Sequence, residues 1–522
     1  MAGTRSDEYI PAVVAGAGPV GLMAACVLRL AGVEVVILEQ RSEPDRVLKA
    51  GSIGPLAVEA LERIGLRDEL VAAEQDTMAG YAQMAQQPSD GPADGEPGAL
   101  AQAQREHFAG LEKIEASRRS EPTRRRMRVP QPVLVEMLRR KAERIGVRLL
   151  PAHTVTGLHQ DEDGVTVAVG TPDGHKEFRS RYLLGCDGGG SAVRTAAGFA
   201  FPGTGPTMLG RQGVVELADA TQIPPGIHDV PGGVLVYGLG VDRVAALEFV
   251  PPPEEDQGPL TEQELHEAVE RVAGIDLGVR RMRAGGRFTD EARHVPSYRK
   301  GRVLLAGDAA HIHAPVGGQG LNYGLIDAVN VAWKLAGRLH GWATDELLDT
   351  YTAERRPQAE RLLQNTRAQI ALMRPDTHSR ALRALFSELM DLDDVNRFLG
   401  DMMAGLTTRY DLQDRDPLVG TLCPDMKLVP ADEHDTGARR LAELPHDGQG
   451  LLLALDGHRL PPQVAAPWAG RVRVLRATAA RDDVTAMLLR PDGCIAWVAR
   501  PAAAPDDQAL SGALRRWFGE PR

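Results

Sequence analysis

A chain of 522 residues with 43% hydrophobic and 25% charged side chains has the composition of a globular protein of roughly two to four domains. Its net charge of −11 argues against general nucleic-acid binding, which needs a basic surface. No run of about 18 apolar residues and no charged-then-apolar leader is present, so the expectation is a cytoplasmic protein without a membrane span. Cys26, Cys186, Cys423 and Cys494 lie far apart with no metal-ligand or redox spacing, and read as buried free thiols in a reducing compartment.

Ile10–Ala15 reads as a buried parallel strand running into Gly16-Ala17-Gly18-Pro19-Val20-Gly21. A helix from Val20 to about Leu30 follows, then a second strand, Val33–Leu38, closed by Glu39. Together these make a dinucleotide fingerprint. Gly16 turns the chain, Gly18 admits a pyrophosphate, Gly21 packs helix on strand, and Glu39 is placed for a ribose 2′-hydroxyl. An acid there favours an adenosine with a free 2′-hydroxyl, hence FAD or NAD rather than NADP.

Met78 to Val129 interrupts this pattern, and Gln86–Pro97, rich in Gly, Pro and Asp, reads as a loop or mobile lid. Arg124, Arg125, Arg126 and Arg128 read as a solvated loop balancing the acidic Asp90–Glu96 stretch; the alternative is a patch that draws in a phosphate-bearing nicotinamide cofactor. A helix, Val133–Ile145, follows Gln131. The strands Val147–Leu150, Thr154–Leu158, Val165–Val169 and Glu177–Phe178 then form a small sheet with a Pro172-Asp173-Gly174 turn. Tyr182–Gly185 is a further strand, leading through Cys186 into Asp187-Gly188 and a basic helix start.

From about Phe201 to Arg287, Arg211–Leu217, Gly233–Leu239 and Arg243–Val250 read as antiparallel strands, and Glu262–Ala273 as an amphipathic helix. Gly238-Leu239-Gly240 falls inside that sheet and is no second nucleotide motif. Gly301–Ala336 carries the densest signal: a strand at Val303–Leu305, Gly307-Asp308, His311, His313, Pro315, glycines at 317, 318 and 320, then an apolar-periodic helix. An acid followed by a glycine-rich turn that opens a helix suits a polyhydroxylated, phosphorylated cofactor. Helices, including Gln358–Leu372 and Ser379–Met390, dominate to about Leu406. After Tyr410 a polar linker, Asp411–Pro417, precedes a shorter α/β pattern with strands at Leu451–Leu455, Arg471–Leu475, Ala486–Leu489 and Ile495–Val498.

These three motifs in this order resemble the FAD-dependent aromatic hydroxylases, the group A flavoprotein monooxygenases built like p-hydroxybenzoate and phenol hydroxylase. Within them the chain looks most like the bacterial oxygenases that tailor aromatic polyketides. The resemblance runs from about Pro11 to Pro357, including Glu354-Arg355-Arg356-Pro357, and resumes weakly at the C-terminus. It implies FAD held by Gly16, Gly18, Gly21, Glu39 and Gln40 at the adenosine and pyrophosphate, and by Gly307-Asp308 at the ribityl chain. Asp187-Gly188 matches a motif serving both FAD and the nicotinamide cofactor. Pro315 falls near the isoalloxazine, in one loop with Gly318, Gly320, Leu321 and Asn322. Gln131 matches a glutamine that approaches FAD. Lys49 stands where many relatives carry an arginine and loses the planar fork, and Tyr323 stands where a smaller residue is common.

The implied fold is α/β: a Rossmann-type FAD-binding domain (1–77, 129–200 and 288–405) interleaved with an antiparallel-sheet substrate domain (78–128 and 201–287) that roofs the active site. A thioredoxin-like C-terminal domain (411–522) lacks the redox dithiol and serves a structural or dimer-contact role, which leaves a homodimer open. The implied activity is single-component monooxygenation: NADPH or NADH as transient reductant, O2, and a flavin C4a-hydroperoxide that hydroxylates a polycyclic aromatic, an aromatic polyketide intermediate. Baeyer–Villiger oxidation on the same scaffold and a flavin-containing drug-sequestering protein are the alternatives. No side-chain triad is needed, because the cofactor carries the chemistry. His311 and His313 read as structural hydrogen-bonding groups with proton transfer as the competing role; Asp290 and Arg211 are candidate substrate contacts, more often surface residues.

Overall fold

A computed structural model describes residues 9–45, 47–85, 106–218, 222–238, 243–253, 258–430, 439–444, 447–455, 462–479, 481–501 and 507–522. The Gln86–Pro97 stretch expected to be a lid lies outside these residues, as does its acidic Asp90–Glu96 part.

Five parallel strands build the core of an eight-stranded sheet: in spatial order Val303–Leu305, Gly174–Gly185, Tyr9–Ala15, Val35–Leu38 and Arg148–Leu150. Val13, Val14, Val35 to Leu38, Leu183, Leu184 and Val303 to Leu305 are all buried. Such unbroken apolar runs are what a parallel sheet covered on both faces requires. Helices Pro19–Leu30, Gln131–Arg144 and Gly320–Leu339 pack together over this sheet. Ala15 pairs with both Leu38 and Gly185, and Gly185 pairs with Leu305. Four strands therefore end level, and the loops after them open on one edge.

The chain between Gly174–Gly185 and Val303–Leu305 folds into a five-stranded antiparallel sheet, in order Gly226–Val230, Gly233–Tyr237, Arg243–Glu248, Leu209–Leu217 and Val279–Thr289. The first of these was not expected from the sequence, and the last only at its Phe288 end. VRRMRAGGRFT has no apolar alternation, and its pairing with Leu209–Leu217 supplies what its pattern lacks. Helix Glu262–Ala273, capped by the Thr261 hydroxyl and by Gly274 in the left-handed region, lays Leu265, Ala268, Val269 and Val272 on one face of the sheet. The opposite face carries Ile227, Val234, Val236, Ala245, Leu247 and Phe288, which cluster with Ala314 and Val316 of the glycine-rich loop.

Helix Asp345–Met373 runs straight through Pro357, where the sequence suggested a helix start. The missing N–H costs one hydrogen bond, but buried Glu354, Arg355, Gln358 and Ala359 anchor both sides and hold the helix continuous.

The arginine run is only partly a solvated loop. Arg124 is buried, donates to both Glu59 carboxylate oxygens at 2.7 and 2.6 Å, and reaches the Leu422 carbonyl at 3.3 Å. Arg125 stays exposed, where it pairs with Glu74, and half-buried Arg126 reaches Ser52 and Glu106. Arg124 and Arg126 are internal ties, which the charge run does not announce.

Residues after 420 form a six-stranded sheet with one parallel pair, Gly450–Leu455 with Val472–Ala479, and helix Asp507–Phe518 beside it. The expected polar linker, Asp411–Pro417, is mostly exposed, anchored by buried Leu412 and by Asp416, which accepts from Arg500 at 2.8 Å. Arg490 donates to both Glu354 oxygens at 2.8 and 2.7 Å and also pairs with Asp492, while Lys334 sits 2.9 Å from Glu354. Two cations and two carboxylates thus neutralise one another in the core and clamp this unit onto the long helices. All four cysteines are buried and unpaired, and burial pushes the Cys26 and Cys423 thiols up to about 12.

Candidate active site

The first glycine loop leaves a cradle. Gly16 has φ +99°, and a Cβ there would stand 2.5 Å from the Cys186 carbonyl oxygen. A Cβ on Gly21 would collide with the Gly16 carbonyl. Gly18 is the opposite case: a methyl there meets nothing within 4 Å. It stands at the N-cap of helix Pro19–Leu30, where first-turn N–H groups lack intrahelical partners and the dipole favours an anion. Glu39 closes the second strand and accepts from Ala17 N at 2.7 Å and Arg41 N at 2.8 Å. A carboxylate has lone pairs left for a hydroxyl, so its first effect is to hold the glycine loop and its second remains open. Gln40 is exposed beside it.

The loop after Ala50 joins this edge to the glycine-rich loop. Gln131 N donates to the Ala50 carbonyl, Ile53 bridges Met127, and Gly54 N donates to Asn322 Oδ1 at 2.7 Å. Asn322 Nδ2 in turn donates to the Gly318 carbonyl at 3.1 Å. Lys49, Gln131, Asn322 and Gly318 are thereby brought together. The Lys49 side chain is largely exposed, with Asp45 at 3.2 Å, an ion pair worth little on its own. Asp187 accepts from Ser191 Oγ at 2.5 Å and Val193 N at 3.1 Å, fixing the turn at Gly188 (φ +83°) at the start of the next helix.

Beyond Leu305, Gly307 (φ +60°) turns the chain and leaves the Asp308 carboxylate exposed at the same edge. Asp327, absent from the sequence-based site, holds this turn from below. It accepts from Gly307 N at 3.2 Å, His311 Nε2 at 2.7 Å and Arg355 Nε at 2.6 Å. Burial alone would raise its pKa, but Arg355 and His311 outweigh that and hold it below the usual carboxylate value. His311 is therefore a core group fixed by Asp327 and does not face the open edge. His313 Nδ1 donates to the Ala314 carbonyl at 2.7 Å, and its imidazole Nε2 would stand 2.7 Å from a methyl on Gly320; burial lowers its pKa. Pro315 and Gly318 are exposed, while Leu321 and Gly320 keep part of their surface free.

A buried amide chain ties this loop to the hairpin Glu106–Phe108/Leu111–Ile114. Ala109 N donates to Gln369 Oε1 at 3.0 Å, Gln369 Nε2 to Asn365 Oδ1 at 3.3 Å, and Asn365 Nδ2 to Gln319 Oε1 at 2.6 Å. Gln319 Nε2 ends the chain on the Met402 carbonyl at 3.2 Å. Three amides on two helices, up to 50 residues apart in sequence, carry no local pattern, which is why sequence reasoning missed them.

Asp290 and Arg211 do not reach the open edge. Asp290 accepts from Thr207 N, Thr207 Oγ1 and Met208 N, a local clamp. Arg211 lies on the helix-covered face of the middle sheet between Glu248 and Glu264. Trp333 is buried, and the Trp342 ring lies tilted beside Phe518, with centroids 6.4 Å apart.

Four strand ends, an uncrowded glycine at a helix N-terminus, an exposed acid and a glycine loop lie along one edge. Residues 9–366 match the model of the FAD binding domain family, and residues 416–521 match the aromatic-ring hydroxylase C-terminal family. The chain belongs to the FAD-dependent aromatic-ring hydroxylases. It is 39% identical, over 98% of its length and 99% of the relative's, to a 12-dehydrotetracycline 5-monooxygenase/anhydrotetracycline 6-monooxygenase of Streptomyces rimosus subsp. rimosus. It is 37% identical to a dialkyldecalin synthase of Streptomyces rugosporus, over 97% of this chain and 98% of that one. Among solved structures, the anhydrotetracycline hydroxylase of Streptomyces rimosus superposes with a TM-score of 0.84 at 37% identity, covering 99% of this chain and all of that one. This hydroxylase is an FAD-dependent monooxygenase, and among its described residues no helix is long and apolar enough to cross a membrane.

Proposed function

We propose that this hydroxylase uses NADPH or NADH and O2 to hydroxylate a polycyclic aromatic compound, an intermediate of aromatic polyketide assembly. The observation that carries the reading is the convergence of the motifs on one sheet edge facing the apolar side of the middle sheet. Gly16, Gly18 and Gly21 would hold the FAD pyrophosphate, with Glu39 and Gln40 at the ribose and Lys49, Gln131 and Asp187-Gly188 alongside. Gly307-Asp308 would take the ribityl chain, and Pro315, Gly318, Gly320, Leu321 and Asn322 the ring. Once bound and reduced, the flavin supplies the oxygen-transferring chemistry. The chain's own residues orient the substrate and exclude water, for which the apolar face around Val236, Ala245 and Phe288 is suited.

The same reading divides the chain into an FAD-binding unit (1–77, 129–200 and 288–405), a substrate unit (78–128 and 201–287) and a thioredoxin-like unit from 411 without a redox pair. Both cysteines of that unit, Cys423 and Cys494, are buried and free. Self-association is supported by Leu382, Leu385 and Leu389, exposed at helical spacing.

The test is an absorbance spectrum of the purified protein, then NADPH oxidation with and without polycyclic phenols. Flavin bands with substrate-stimulated oxidation and a hydroxylated product are the expected result. A lactone or ring-cleaved product would mean Baeyer–Villiger chemistry, and bound flavin never reduced would mean sequestration. Because a dialkyldecalin synthase is a relative, each substrate is also incubated without NADPH; conversion there would sink the oxygenase reading.

A further inference from the structure

On the antiparallel sheet, pairing sorts the side chains by face. Gln212 pairs with Ala245 and Gly286, and Val214 pairs with Arg243 and Ala284. Gln212 and Arg243 therefore share the face of Ala245, Leu247 and Phe288, the one turned toward the glycine-rich loop. Two residues along a strand is about 7 Å, so Arg243 stands next to the part of that face that clusters with Ala314 and Val316. Phe288 lies over Gly210 and covers the sheet there. Beyond it the face is open: a methyl on Gly286 would meet nothing within 4 Å.

Arg243 is anomalous on this sheet. On the opposite face Arg211 and Arg287 are matched by Glu248 and Glu264. Arg243 has no carboxylate within ion-pair distance among the described residues. Among the described residues its side chain has one hydrogen-bond partner, Gln212 Oε1, and its buried Nε has none. Burial lowers its pKa. The residue as a whole is nevertheless only partly buried. Gln212 Oε1 accepts from Arg243, and its Nε2 donors have no partner among the described residues. A sunken cation without a counter-charge is costly unless an anion joins it, and a planar guanidinium beside an amide donor suits two neighbouring oxygens on a rigid plane.

We propose that Arg243 and Gln212 form the substrate-reading pair of this hydroxylase, binding an ionised phenol or enol oxygen and its neighbouring carbonyl oxygen on the flat polycyclic substrate. The inference deepens the function proposed above and rests on it. It makes this pair a specificity determinant: the substrate must present an acidic hydroxyl next to a carbonyl, as in an enolised 1,3-dicarbonyl or a peri-hydroxyquinone. The apolar strip from Ala245 to Phe288 then supports the rings while the two polar side chains fix which edge enters first.

The probes are 2-hydroxy-1,4-naphthoquinone, a vinylogous acid that is ionised at neutral pH with its anionic oxygen beside a quinone carbonyl, and its neutral methyl ether. Binding to the FAD-loaded enzyme is measured by equilibrium dialysis for the wild type, Arg243→Met, Arg243→Lys and Gln212→Leu, with FAD content and Tm recorded for each. The wild type should prefer the hydroxyquinone by about tenfold or more, equivalent to roughly 1.4 kcal/mol. Arg243→Met should lose that preference while binding the ether as before; Arg243→Lys should keep part of it, and Gln212→Leu should weaken the hydroxyquinone alone. An Arg243→Met protein that keeps the preference, or loses both probes equally, overturns the proposal. If Arg243→Met does not fold, an unchanged preference in both other variants does the same. An FAD-loaded wild type with no preference overturns this inference alone, whereas a wild type that cannot hold FAD overturns the proposed function and the inference together.

Discussion

Gly18→Ala separates cofactor binding from folding more cleanly than any other change at the first loop. Gly18 sits at φ −69° and ψ 176°, a conformation alanine adopts freely, and no protein atom lies within 4 Å of the added methyl. Glycine is the better N-cap by about 0.5–1 kcal/mol, while restricting the unfolded chain returns about 0.4–1 kcal/mol, so apo-protein stability should hardly move. With FAD the methyl occupies the space where the pyrophosphate must meet the helix N-terminus. Overpacking costs about 1–3 kcal/mol, so FAD affinity should fall roughly tenfold to a hundredfold. Gly21→Ala is the contrast, because its Cβ strikes the Gly16 carbonyl and the apo-protein itself should melt earlier. The assay is a thermal melt of apo-protein followed by titration of FAD fluorescence. A Gly18→Ala protein that binds FAD like the wild type refutes the cradle, however stable it is.

Arg490→Met should cost about 3–5 kcal/mol in denaturant unfolding, because it strands Glu354 and Asp492 in the core. Although burial opposes it, Arg490 and Lys334 hold the Glu354 carboxyl well below its ordinary value of 4.5, so the stability it contributes is present above pH 4.5 and declines below; the Arg490→Met protein should lose that acid sensitivity. Burial takes the His107 imidazole down to about 4, with Arg126 adding to the shift. A depressed folded pKa means that stability present above pH 6.5 is lost as pH falls from 6.5 toward 4, at up to about 1.4 kcal/mol per pH unit, and a His107→Gln protein should show a correspondingly flatter profile. Gln369→Met leaves the buried Ala109 N–H without its acceptor, which should cost about 1–3 kcal/mol by chemical denaturation. It should also raise the KM for the aromatic substrate more than it lowers FAD content, since the broken tie joins the hairpin to the glycine-rich loop.

The glycines and the strands before them were legible because each meaning is local. Gly16 and Gly307 need a left-handed turn and Gly18 needs empty space, and a run such as Val35 to Leu38 can only be a covered strand. Helix Glu262–Ala273 was readable to the residue for the same reason, with its cap, apolar period and terminal glycine all lying within the segment. Pairing between distant segments carries no such signature. VRRMRAGGRFT became a strand only because Leu209–Leu217 lies beside it, and Arg124, apparently one of a solvated run, was drawn inside by Glu59, 65 residues earlier. Asp327 looked like one more polar helix position until His311, Arg355 and Gly307 N met on it. The sequence by itself determined the family and the cofactor edge. Only the tertiary structure decided which charges are paired: Arg211 and Arg243 look alike along the chain, yet opposite faces of one sheet give the first two glutamates and the second none among the described residues.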